Sequence, residues 1–409
     1  MQVSAPTSIS VLGPQVASSA TGAAAVTVNE VNLDAQAIAR ASLALAPPHG
    51  AFSVARPIPG AQEVLAIAYS GSTLELLTAS GPRGQPCCSV VQVIRRGPHG
   101  GFGSRQTLVN DAGGGTTGTL VPLANGRMLA VIAAPQRLWA SETSARGAGR
   151  FGPVRGLTRP GSAPAAVAVS GTPEGGSAIV WTQGSGGGLF GASAGPGATP
   201  SRPRVVLTLP SGHAIDGVQL APRSGGFNLV WTESWNVATG GYRVQVFASD
   251  VVRLGQRVRP RALSPAGAVA SGLALSGNAQ GAEAAAWDVC SPSGAACVVE
   301  SRLRAAASGR RGRVRSRWFG GTSRLGGIDA GESAVVSTAG AGGSLIGWIT
   351  GGRVALGTAR RGAGRFGPPR MVSGGLADDL ELGYGPSGEA VAAWTQGTVA
   401  PGVFVTVAR

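Results

Sequence analysis

At 409 residues the chain is long enough to bury several cores, and its 67 Gly and 27 Pro exclude a mainly helical fold, because these residues break helices they fall inside. The 34 basic residues are all Arg and outnumber 19 acidic ones, a net charge of +15 that speaks to anionic partners rather than to fold. No apolar run approaches the roughly 20 residues a membrane-crossing helix needs.

In chain order the first readable segment is Val3-Ser4-Ala5-Pro6-Thr7-Ser8-Ile9-Ser10, an early copy of a phrase that returns down the sequence. Its clearer forms are Phe102-Gly103-Ser104-Arg105, Phe151-Gly152-Pro153-Val154-Arg155-Gly156-Leu157-Thr158 and Phe366-Gly367-Pro368-Pro369-Arg370-Met371-Val372-Ser373. Copies start at Phe52, Phe102, Phe151, Ser201, Arg257, Arg313 and Phe366, 49 to 56 residues apart. A fixed period of this length marks a stacked or radial repeat fold. A second phrase precedes the later copies: a Gly-bearing turn, then an apolar run ending in Trp. It reads Ala178-Ile179-Val180-Trp181-Thr182, Leu229-Val230-Trp231-Thr232, Ala285-Ala286-Trp287-Asp288, Ile346-Gly347-Trp348 and Ala392-Ala393-Trp394-Thr395. In the first third the Trp is absent, as at residues 24–28 and 127–132. The Trp residues are expected to pack between neighbouring sheets.

Each unit parses into four strands of roughly 5 to 8 residues, Val-, Ala- and Leu-rich and bounded by Gly, Pro, Ser and Asn. Four-stranded sheets repeated radially make a β-propeller. The expectation is therefore an all-β fold, one propeller domain over residues 1–409, eight-bladed with seven as the alternative. Repeat units end near 10, 59, 109, 158, 208, 264, 320 and 373. A last blade, 379–409, stops after its third strand, and residues 3–10 supply the fourth, closing the ring and removing an exposed sheet edge.

Cys290 and Cys297 bracket a turn between strands two and three, where cross-strand partners lie within disulfide reach. Closing so short a loop contributes about 2.5 kcal/mol by chain entropy, and a disulfide points to an oxidising compartment. Cys87 and Cys88 are open to a vicinal bond or two free thiols. Only three His accompany the four Cys, so no metal site is expected, and no cofactor motif is present. The first basic residue is Arg40, so the start lacks the pattern of an export signal.

The binding candidates sit in the loops between strands two and three, which ring one face of a propeller: Glu30, Asn32 and Asp34 in the first, Glu233, Trp235 and Asn236 in the fifth, and Asp288 in the sixth. An exposed Trp beside acids and amides suits a sugar platform. Asp378, Asp379 and Glu381 form the tightest acidic cluster and are read as a solvated loop. His49 and His99 share a Pro-His-Gly context that reads as turn drift. The run Arg310, Arg311, Arg313, Arg315 and Arg317 falls at the outermost strand, as do Arg360, Arg361, Arg365 and Arg370. Such a rim could hold a polyanion. Only Trp318 interleaves with the arginines, which disfavours nucleic acid.

The Gly turn, the strand ending in Trp-Thr and the closing Phe-Gly-x-Pro phrase resemble the repeats of secreted bacterial β-propeller proteins, distantly similar to the sialidase-like group. That resemblance implies the fold and an extracytoplasmic or cell-surface location, and leaves activity open. The group's Asp-box and catalytic pattern are absent: Ser276-Gly277-Asn278-Ala279-Gln280-Gly281 carries Asn for Asp, and of Tyr69, Tyr242 and Tyr384 only Tyr384 has an acid nearby in sequence, Glu381. No catalytic residue is assigned. The leading reading is a non-enzymatic binding or scaffold module that takes a glycan or a protein on its loop face. The alternative is a carbohydrate-active enzyme with acids on that face, and a second alternative is polyanion binding through the Arg rim.

Overall fold

The computed structural model describes all residues except 5–9, 33–36, 82–88, 99, 144–148, 185–187, 224, 238–240, 252, 253, 255, 257, 292–295, 306–317, 386, 387, 398–400 and 409. Among the described residues regular structure is β throughout, apart from a 3-10 turn at Ala124–Gly126. No helix there is long and apolar enough to cross a membrane. Packing divides the chain into two units: Met1–Pro164 with Gly195–Pro200 and Gly375–Arg409, and Ala165–Ala194 with Ser201–Gly374.

The first unit holds three sheets in which four strands follow one another antiparallel. They run from Ser10–Ser18 to Arg56–Pro57, from Glu63–Ser70 to Gln106–Val109, and from Thr117–Pro122 to Arg155–Gly156. A further sheet, Ala377–Tyr384, Ala390–Gln396 and Gly402–Ala408, has three strands. In the second unit the same four-strand pattern runs through Pro164–Gly171 to Arg204–Thr208, His213–Arg223 to Arg261–Ala262, Val269–Gly277 to Ser323–Ile328, and Val335–Thr338 to Arg370–Met371.

The repeated phrase has a physical reason. After each Phe the following N–H docks on the third strand: Gly103 on the Arg95 carbonyl at 2.7 Å, Gly152 on Glu142 at 2.9 Å and Gly367 on Thr358 at 2.8 Å. The aliphatic residue then donates to the same strand, Leu157 to Leu138, Leu263 to Val246 and Val372 to Val354. The hydroxyl after it accepts the return bond: Thr158 from Leu138 at 2.9 Å, Ser264 from Val246 at 2.9 Å and Ser373 from Val354 at 2.8 Å. Two or more short bonds per copy hold a fourth strand that is itself only two residues long in several sheets, such as Arg155–Gly156 and Arg370–Met371.

The N-terminal copy makes the same pair of bonds. The Val3 N–H donates to the Val403 carbonyl at 2.8 Å, the Val403 N–H donates to Ser4 Oγ at 2.8 Å, and Gln2 bridges Phe404. Ser10, expected at the end of this segment, instead opens the first strand of the first sheet, paired with Val31.

The Trp residues of the second phrase are core. Trp181, Trp231, Trp287 and Trp348 are at most 1% exposed. Three second-strand Trp residues stack on the aromatic directly opposite on strand three: Trp181 on Phe190 with centroids 6.4 Å apart, Trp231 on Phe247 at 5.8 Å and Trp394 on Phe404 at 6.3 Å. Trp231 packs with Leu220, Leu229 and residues of the preceding sheet such as Ala178 and Leu189, so it is inter-sheet packing as well.

Candidate binding site

The second unit contains a cavity of about 550 Å³ between the sheets that start at His213 and Val269. A parallel bridge between Val244 and Val269 joins the two sheets, and both residues line the wall. Apolar lining comes from Val218, Leu273 and Ala166; the polar groups are Asp216, Gln219, Thr232, Tyr242 and Ser271.

The first strands of both sheets carry a β-bulge near their start. In His213–Arg223 the register shifts between Ile215 and Gly217, so Asp216 is the unpaired extra residue, and it is exposed. In Val269–Gly277 the shift falls between Ser271 and Ala274, with Gly272 at φ +57°. A bulge re-aims the side chain at the inserted position and bends the strand away from its neighbour. First-strand bulges also occur at Leu12/Gln15, Val64/Ala66 and Asp378/Glu381. Across the mouth from Asp216, Tyr242 opens a third strand, the residue 53% exposed, and its hydroxyl donates a long 3.5 Å bond to Asp216 Oδ2.

Asp288 stands behind this wall. It pairs in register with Ser271 and is only 2% exposed, in the strand Glu283–Cys290 rather than in a loop. Neither carboxylate oxygen has a hydrogen bond of ordinary geometry among the described residues. Burial raises its pKa to about 7, and the Ala334 backbone N–H offsets only part of that. A Cβ on Gly272 would overlap Asp288 Oδ2 and come within 2.9 Å of Ser333 Oγ, so the bulge glycine makes room for the carboxyl.

The other expected site residues are partly committed elsewhere. Glu233 lies within the strand Gly226–Asn236, buried; its Oε1 is 2.6 Å from His213 Nδ1, and its Oε2 accepts from Trp231 Nε1 at 3.4 Å. Trp235 lies flat on His213, centroids 5.1 Å apart, so its ring face is covered on one side. Asn236 ends that strand, exposed. These residues flank the cavity without lining it, because the strand runs longer than its sequence suggests: 11 residues, not 8. Glu30 is likewise in a strand, Ala24–Asn32, buried and ion-paired with Arg40. Asp34, the run Arg310 to Arg317, His99, Cys87 and Cys88 lie outside the described residues. Cys290 and Cys297 form the expected disulfide as register partners. His49 Nδ1 is 2.6 Å from Glu389 Oε1.

Two further acids are held out of water. Glu381, in the bulged strand Ala377–Tyr384, is raised to about 7 by burial. Glu283 is raised to about 7 by burial against the pull of Arg304; it accepts from Asn228, and Arg304 Nη1 lies 3.6 Å from it and 3.3 Å from Asp250. With Arg223, 2.5 Å from Asp250, this network ties two neighbouring sheets at the strand ends away from the cavity. It is structural.

No protein-family model matches the chain, and no curated protein matches it in sequence. Solved structures do match in three dimensions. Polysaccharide lyase Uly1 is 10% identical, with 84% of this chain and 89% of that one covered at a TM-score of 0.52. The Dos1 propeller is 9% identical, covering 85% of this chain and 84% of that one at 0.51. Prolyl oligopeptidase B from Galerina marginata is 9% identical, covering 95% of this chain and 55% of that one at 0.50. Similarity at this level of identity is similarity of fold, and it agrees with the repeated four-strand sheets: the chain is an all-β propeller.

Proposed function

We propose that the chain is a non-enzymatic, eight-bladed binding propeller that takes a neutral glycan in the cavity between the His213 and Val269 sheets, at an extracytoplasmic location. One observation carries the reading: an exposed Tyr242 ring beside the bulged Asp216, over a cavity whose remaining polar groups are neutral hydroxyls and an amide. A ring face packs against the apolar C–H face of a pyranose, and a carboxylate accepts hydrogen bonds from vicinal hydroxyls. The Cys290–Cys297 disulfide supports the location.

The test is retention of the full chain on immobilised neutral and acidic polysaccharides at low and moderate salt. Salt-resistant binding to a neutral polymer, weakened roughly tenfold by Tyr242→Ala and less by Tyr242→Phe, is expected. Binding that Tyr242→Ala leaves untouched would overturn the assignment. A second reading, a carbohydrate-active enzyme, draws on Asp288, a buried carboxyl with pKa about 7 next to the cavity wall, in the range a general acid needs. Release of shorter sugars from the bound polymer, abolished by Asp288→Asn, would favour it. Retention confined to acidic polymers and lost steeply with salt would instead point to the arginine rim, of which Arg360, Arg361, Arg365 and Arg370 are exposed.

A further inference from the structure

The first unit has its own concavity, about 330 Å³, at the opposite strand ends: it is bounded by the turns that join first to second strands and those that follow third strands in the sheets starting at Ser10 and Glu63. Its walls are Leu45, Pro47 and Leu74, with Ser72 at the rim. Arg96 and Tyr69 supply the charged and phenolic groups.

The charge pattern is specific. On the strand Val90–Arg96, Arg95 meets Glu75 at 3.0 Å, whereas no carboxylate among the described residues pairs with Arg96. Arg96 is half-buried at the end of the strand and faces the same cavity as Tyr69. Burial lifts the Tyr69 phenol above its ordinary value, with the Arg96 charge pulling the other way, so at neutral pH the hydroxyl keeps its proton and can donate. A planar guanidinium and an O–H donor beside apolar walls match one ligand chemistry: a carboxylate held by charge-assisted bonds, on an apolar body that fills the rest of the cavity. Apolar walls exclude water, which strengthens the ion pair over what an exposed Arg would give.

We infer that this concavity is a binding site for a small carboxylate with an apolar body, gripped by Arg96 and Tyr69. It is independent of the glycan site, which presents an acid and no cation. The probes are phenylacetate and its neutral isostere phenylacetamide, titrated calorimetrically into the full chain, with inorganic phosphate as a third ligand. Phenylacetate should bind at least roughly tenfold more tightly than the amide, a charged hydrogen bond's worth. Nuclear magnetic resonance shifts should concentrate on Tyr69 and its neighbours. Arg96→Gln should erase the acid-over-amide preference and Tyr69→Phe should reduce it severalfold, while Tyr242→Ala changes nothing. Equal binding of acid and amide, no binding of either, or phosphate binding more tightly than phenylacetate would each overturn the inference. The acid–amide comparison uses the unaltered chain, so it decides even where Arg96→Gln fails to fold.

Discussion

The two concavities are built from the same repeat and carry opposite charge. The second-unit cavity lies where first strands begin and third strands begin, and its polar residue of note, Asp216, is placed by a bulge. The first-unit cavity lies at turns, past the bulges at Leu12/Gln15 and Val64/Ala66 in its first strands, and its Arg96 ends a third strand that keeps unbroken register with Thr73–Ser80. Irregularity makes one site and termination makes the other. The lesson is that a repeat fixes where strands stop and leaves two kinds of freedom, an inserted residue or an exposed end, for chemistry to occupy.

The largest way to separate the two is Gly272→Ala. The added methyl would collide with Asp288 Oδ2 at a φ of +57° that only Gly takes without strain. A loss of about 3 kcal/mol in denaturant unfolding is expected, with glycan retention lost and phenylacetate binding kept in the molecules that remain folded. Equal damage to both ligands would show that the sites are not independent. Next comes the Cys290–Cys297 bridge, which borders the second-unit cavity's sheet and has no counterpart among the described residues of the first-unit cavity. Replacing both by Ser should cost about 2.5 kcal/mol, read as a lower urea midpoint, and an unchanged midpoint would refute the estimate.

Asp288→Asn is subtler and has a defined pH dependence. The folded pKa, about 7, lies above the ordinary 3.8, so the protonated carboxyl is what the fold favours. The stability it contributes is full below its ordinary pKa and is lost as pH rises through about 7. The neutral amide should therefore unfold at higher temperature than the parent at pH 8, with the gain shrinking to near zero at pH 4. A constant difference across that range would mean Asp288 does not titrate as its burial implies.

The repeat made the fold readable from the residues alone. Phe-Gly, the aliphatic residue and the following Ser or Thr are each tied to a backbone bond on the third strand, so the phrase is a hydrogen-bonding requirement written in sequence. The disulfide was equally legible, because a turn of fixed length puts Cys290 opposite Cys297. The site was not. Asp216 and Tyr242 are 26 residues apart and meet only after a bulge moves one of them out of register, and periodicity carries no signal for a single extra residue. Loop-face acids such as Glu233 and Glu30 look free in sequence because their partners, His213 and Arg40, belong to neighbouring strands. Arg96 looks like one arginine among 34, since nothing local distinguishes it from Arg95, which meets Glu75.

The bond from Val403 to Ser4 joins residues 399 apart in sequence. Closing so long a loop is entropically costly before any contact rewards it, and non-local pairing of this kind is slow. During synthesis the early Val3-Ser4 segment must wait for the 399 residues that separate it from Val403 before its partner strand exists. The order in which the protein is made thus sets a clock on its final pairing, and a chaperone or a fast-folding early sheet would matter most in that interval.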